Sequence, residues 1–199
     1  PLLLTFMNKG DNTFKIIKNK INSVGFMERN RNSEKDFIRH RKMPFVSLIL
    51  FMINLVKQTL QKELTNFISL ISSNRENISK SAFCQSRKKL KAEAFIELND
   101  TLVSEFYKED DYKKWKGFRL LGIDGSNLTL PQSEELSNIF GFAKNNINPE
   151  FKMPMAKISS FYDLLNNIII DSQIDQSSIS EFMLALNHLE KAGSRDLII

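Results

Sequence analysis

The sequence predicts an α+β chain with a helical first half and a mixed second half. Two observations predict it. Apolar residues recur every three or four positions up to about residue 107, then switch to short continuous runs. The charge changes with them. Residues 1–100 carry 18 Lys and Arg against 9 Asp and Glu, so +9; residues 101–199 carry 10 against 14, so −4. A basic half joined to a mildly acidic half suggests a polyanion-binding part attached to something else, or simply a solvated basic surface.

Composition excludes several classes. At 199 residues there is enough chain for one or two domains with a real core. A hydrophobic share of 42% and a charged share of 26% are ordinary for a globular protein. One cysteine, Cys84, rules out an intrachain disulfide framework and a Cys-cluster zinc site. Two histidines, His40 and His188, leave little for a His-based metal site. The apolar run from Phe45 to Val56 is shorter than the roughly 20 residues a membrane span needs, so a buried helix and a cytoplasmic protein are expected.

In chain order, Phe14, Ile16, Ile17, Ile21 and Val24 suggest one short helix before Gly25. Residues 28–43 are polar and basic, and read as a flexible arm able to touch phosphates. Pro44 suits a first helical turn. Apolar spacing from Phe45 to Ile71 predicts one long helix, broken at Ser72-Ser73-Asn74. Ser79 is a natural N-cap for a short helix with Ala82, Phe83, Ser86 and Leu90 inside. Its outer face carries Ser81, Gln85, Arg87, Lys88 and Lys89, which suit phosphates and base edges or are merely solvated. Another helix follows from Ala92 to Tyr107. Residues 108–117 read as a charged linker, giving domains at 1–115 and 116–199.

Phe118 to Ser126 reads as a strand ending in Asp-Gly-Ser, with 127–130 continuing after a bend. Residues 131–154 read as an irregular excursion. Met155–Asp163 and Asn167–Ile174 are strand-like, joined at Asn166-Asn167. Ser177 or Ser178 suits the cap of a helix ending near Lys191, and Asp196 to Ile199 begins a strand. Three strands, a helix and a returning strand match the first part of a ribonuclease H-like fold, though spacing alone says only mixed α/β.

Asp124 is the leading candidate for chemistry. It follows an apolar strand, where a buried carboxylate needs a partner or a metal. The alternative is a turn Asp bonding its own backbone. Asp163 and Asp171 suit hairpin and turn chemistry better than a cation site. His188, in an apolar helix, reads as structural, Cys84 as a buried small residue, and Asp196 as a turn residue.

The run Gly122-Ile123-Asp124-Gly125-Ser126, with Leu130-Pro131, resembles the first catalytic strand of DDE transposases of the insertion-sequence-four type. Ala156 to Asn166 is similar to that family's second strand. Ile169-Ile170-Asp171, Ser180-Glu181 and His188-Leu189-Glu190 follow in the family's order. Arg39 to Phe45 and Ser81 to Leu90 resemble its helical N-terminal region. The resemblance covers residues 37–199. It implies that the complete protein binds insertion-sequence ends and performs metal-dependent DNA cleavage and strand transfer. It implies Mg²⁺, or Mn²⁺, held by three carboxylates, of which Asp124 matches the first. It implies DNA contacts from Arg39, Arg41, Lys42, Gln85, Arg87, Lys88 and Lys89, double-stranded DNA as partner and a homodimer when complete. The other two carboxylates are expected beyond Ile199, so the 199-residue chain is expected not to cut DNA. The rival reading is a helix-turn-helix-like DNA-binding module or transposase remnant without catalysis.

Overall fold

The computed structural model describes residues 2–39, 41–54, 58–71, 78–142 and 153–199, with side chains from residue 12 onward. His40 and the expected break at 72–74 lie outside the described residues. The chain divides into two compact units, 1–102 and 103–199, so the division falls inside a helix rather than in the charged 108–117 stretch.

The first unit is helical: α1 (Leu2–Ile21), α2 (Val24–Arg29), α3 (Phe45–Ile53), α4 (Leu60–Ile71), α5 (Lys80–Arg87) and most of α6 (Glu93–Tyr107). The start is therefore a 20-residue helix and a second short one, not a single short helix. The helix expected over 45–71 is two. Asn54 ends α3, its backbone N–H and its Nδ2 both donating to the Leu50 carbonyl, at 3.1 and 2.8 Å. Before α4, the Thr59 carbonyl accepts from Lys62 and Glu63, while the Glu63 carboxylate accepts the Gln58 amide at 3.0 Å. That reciprocal arrangement starts a fresh helix. The apolar stripe continues across the break because both helices face one core.

That core has two clusters. Met43, Leu48, Phe51, Leu64, Ile68, Ile78 and Phe83 form one, with Phe51 edge-on to Phe67 and Phe83 at 5.3 and 5.1 Å. Ile21, Phe26, Phe45, Ile49, Ala94 and Leu98 form the other. Ser79 caps α5 through Ala82 N–H, as the sequence predicts.

The second unit is built on β1 (Arg119–Thr129), β2 (Met155–Asp163), β3 (Ile168–Gln176) and β4 (Asp196–Ile198), with α7 (Glu134–Phe140) and α8 (Glu181–His188). The sheet order is β3-β2-β1-β4. β1, β2 and β3 run antiparallel, and β4 runs parallel to β1, with Arg119 opposite Asp196 and Leu121 opposite Ile198. The fold is mixed α/β with one mixed sheet.

Three local expectations are corrected. β1 does not end at Asp-Gly-Ser; pairing with β2 carries it on to Thr129, and Pro131, which has no N–H to donate, follows. The 131–154 stretch contains α7, closed by Gly141 at φ 81. The cap of α8 is Ser180, not Ser177 or Ser178; its hydroxyl accepts from Met183 N–H at 3.2 Å. Among the described residues no helix is long and apolar enough to cross a membrane.

Candidate functional site

Alternation along the strands sorts their side chains onto two faces. Leu121, Ile123 and Gly125 of β1 share a face with Ser159, Phe161 and Asp163 of β2. α8 packs here: a Cβ added to Gly125 would lie 3.3 Å from Glu181 Cγ. The close approach that Gly125 permits is therefore that of α8.

Asp124 is on the other face, opposite Ser160 and level with Gly122 and Ser126. It sits in mid-strand and is exposed, not at the end of a buried strand. Its Oδ1 accepts the Gly125 amide at 3.0 Å, the kind of local bond a turn Asp would make. That bond uses one of several lone pairs and leaves the carboxylate open to an external ligand.

Asp163, Asp171 and Asp196 are committed, whereas Asp175 in β3, like Asp124, accepts its neighbour's amide, from Gln176 at 2.6 Å. Asp163, fully buried, accepts from Tyr107 Oη at 2.6 Å, from the Leu165 and Asn166 amides at 3.0 Å each, and from Asn166 Nδ2 at 2.8 Å. It closes the β2–β3 turn, where Asn167 takes φ 57. Burial first, and then the Asp163 carboxyl, push the Tyr107 phenol well above its ordinary range. Asp196 closes a turn, as the sequence predicts: its N–H donates to the Gly193 carbonyl at 3.2 Å and its Oδ2 accepts the Gly193 amide at 2.7 Å. It opens β4 and takes both forks of Arg119, at 2.7 and 2.5 Å, while the guanidinium lies 4.6 Å over the Tyr107 ring.

His188 is structural, as its apolar helix predicts, and fully buried. Its Nδ1 meets Asp171 Oδ2 at 2.7 Å and its Nε2 meets Ser159 Oγ at 3.0 Å; the ring stacks on Phe161. Burial opposes ionisation of Asp171, but hydrogen bonds from Gln173 and His188 outweigh it and lower its pKa. This Ser-His-Asp arrangement is sealed under α8, with Ser159 also buried, so no substrate reaches its hydroxyl. Ser159 was missed in the sequence, where nothing marks it.

Among the described residues no three His, Cys, Asp or Glu side chains gather as a metal site. Cys84 packs half-buried against the first unit's core.

The basic residues fall into two groups. Gln85, Arg87 and Lys88 are exposed along α5 and the turn after it. Arg39, Arg41 and Lys89 line a cavity of about 370 Å³ with Lys35, Asp36 and Ser86. Lys42 is exposed beside it. The 29–42 stretch is not a free arm. Asn32 N–H donates to the Lys89 carbonyl at 2.9 Å, Asn32 Nδ2 to Lys88 O at 2.8 Å, and Lys91 N–H to Asn30 O at 2.9 Å. Sequence reasoning missed the cavity; the signal was Lys35, Arg39 and Arg41 interleaved with Phe37 and Ile38.

No family model matches the chain, and no solved structure matches it. It is similar to the transposase InsG for insertion sequence element IS4 of Escherichia coli strain K12, 22% identical over 165 residues. The match covers 81% of this chain and 37% of that protein, so the chain spans little more than a third of its relative's length. This distant relative supports the resemblance to transposases of the insertion-sequence-four type that the residues themselves carry.

Proposed function

We propose that the chain is the DNA-contacting and first catalytic-strand portion of a transposase, with a ribonuclease H-like sheet in its second unit. The observation that carries this reading is the setting of Asp124: an open carboxylate at mid-strand in β1, beside a parallel β4 reached through α8. The β1–β4 pairing keeps one offset from Arg119–Asp196 to Leu121–Ile198. Continued in that register, a strand would bring the residue two positions beyond Ile199 beside Asp124, on the same face. Two carboxylates there would be placed to share a cation. The distant likeness to the InsG transposase supports the same reading.

The residues present do not by themselves fit a complete Mg²⁺ site. Mg²⁺ asks for octahedral oxygen ligands; Asp124 offers one carboxylate, and among the described residues no group of three His, Cys, Asp or Glu side chains gathers around it. Within these 199 residues the function is therefore duplex binding by the basic first unit. Arg87 at the end of α5 and Lys88 after it contact phosphates, and Gln85 reads base edges. Purified 1–199 should bind duplex DNA with an affinity that falls steeply as salt rises, and Arg87→Ala with Lys88→Ala should reduce the log–log salt slope by about 2. In a reading frame that carries the chain, Asp124→Asn should abolish transposition and leave DNA binding intact. Unchanged transposition by Asp124→Asn would leave only the binding-module reading.

A further inference from the structure

We propose that the cavity between residues 35–44 and the end of α5 binds a single nucleotide unit, its phosphate on the basic rim and its base on the apolar side. This deepens the reading of the first unit as a DNA-contacting surface and rests on it.

The cavity has fixed walls. The Asn32 and Lys91 backbone bonds tie the segment to residues 88–91. Arg31 Nη1 donates to the Asp36 carbonyl at 3.3 Å, and Lys89 Nζ meets Asp36 Oδ1 at 3.3 Å. At the turn, Phe37 takes φ 61, a left-handed conformation unusual for a large side chain. Edge-on packing against Phe45 at 5.3 Å holds it there. A strained residue held by its surroundings at the lip of a cavity is the pattern seen at ligand sites.

Charge selects the ligand's polar end. Lys89 is matched by Asp36, but Lys35, Arg39 and Arg41 form no ion pair among the described residues. Three cations around one cavity, unpaired among the described residues, favour a phosphate. Phosphate alone does not account for the rest. Ile38, 63% exposed, Pro44, exposed, and Met43, buried, also line the cavity and give it an apolar side. An apolar side next to a cationic rim suits a phosphate that carries a flat, stackable base. Bases stacked in a duplex cannot enter. The nucleotide is therefore a free one or an unpaired residue of a strand.

The test uses the 1–199 chain and three labelled duplexes: fully paired, with one bulged adenine, and with an abasic bulge. The adenine bulge should bind about tenfold tighter than the paired duplex, and the abasic bulge should lose the gain. Ile38→Ser, at an exposed position, should remove the preference while leaving paired-duplex binding and the circular dichroism spectrum unchanged. Saturable binding of dAMP without a bulge preference would support the site and assign it to a free nucleotide. Equal affinity for all three duplexes, with no dAMP binding, would overturn the cavity proposal and leave the duplex-binding reading standing. A full bulge preference in Ile38→Ser would overturn this location. Failure to bind any DNA or dAMP would overturn both readings.

Discussion

The two faces of the sheet treat the same chemical group in opposite ways. On the face covered by α8, the two carboxyls nearest its core are saturated with donors: Asp163 has four, and Asp171 is shared between Gln173 and His188, while Asp175 at the end of β3 accepts the Gln176 amide. On the other face Asp124 keeps only its neighbour's amide, among exposed Leu128, Ile169 and Ile174. The lesson concerns counting partners. A carboxyl whose lone pairs are all engaged holds the fold together, and one left open can serve a ligand. Asp124 was expected at a strand end, and Asp163 and Asp196 in turns. Here the residues closest to strand ends, Asp163 and Asp196, are the structural ones.

The largest break should come from Arg119→Met. It strands Asp196, nearly buried, without its guanidinium, and should cost about 3–5 kcal/mol in urea unfolding. The double variant Arg119→Met with Asp196→Leu should regain most of that loss. Next comes Tyr107→Phe, which removes one donor from buried Asp163 and should cost about 1.5–3 kcal/mol.

Acid should erode both units from the same direction. Glu97, held by Arg29 at 2.7 Å and also by Asn30 and Lys20, has its pKa lowered from 4.5 to about 2. Asp171 is lowered as well. A lowered carboxyl stabilises the fold fully above its unfolded pKa and loses that contribution as the pH falls towards the folded value. Stability should therefore decline between pH 4.5 and about 2. Glu97→Gln should flatten part of that decline; an unchanged acid limb would show that these contacts are not what acid breaks.

The smallest effect sharpens the contrast most. Asp124→Asn should change stability by less than about 0.5 kcal/mol, since it is exposed and holds nothing but an adjacent amide. A loss comparable to that of Tyr107→Phe would place Asp124 with the structural carboxyls.

Much of this was legible in the sequence. β2 runs from Met155 to Asp163 as its apolar run predicts, and Ser79 marks the start of α5. The failures share a cause, which is that local signals repeat and only tertiary contacts choose among them. Three serines compete to cap α8; the Ser177 amide is taken by Phe140 O, and the cap falls to Ser180. The apolar stripe over 45–71 continues through Asn54, whose side chain nevertheless ends a helix there. Ser133 with Glu134 and Glu135 did signal α7, but the prolines and asparagines around it masked the cue. The exposure of Asp124 was not readable, because strand pairing decides which face a side chain occupies.

The alternation of main-chain bonds along β1 has a consequence for the amides around Asp124. Leu120 bonds toward β2, through Leu164 N–H, whereas Arg119 and Leu121 bond toward the β4 edge, with Arg195 and Ile199. Continued along β1, that alternation sends the N–H groups of Gly122, Asp124 and Ser126 toward β2 and those of Ile123, Gly125 and Asn127 toward the opposite side of the strand. One strand thus carries two populations of amide hydrogen. One is shielded from deuterium by the β2 ladder; in the other, the Gly125 N–H is held at 3.0 Å by the carboxylate of Asp124 itself.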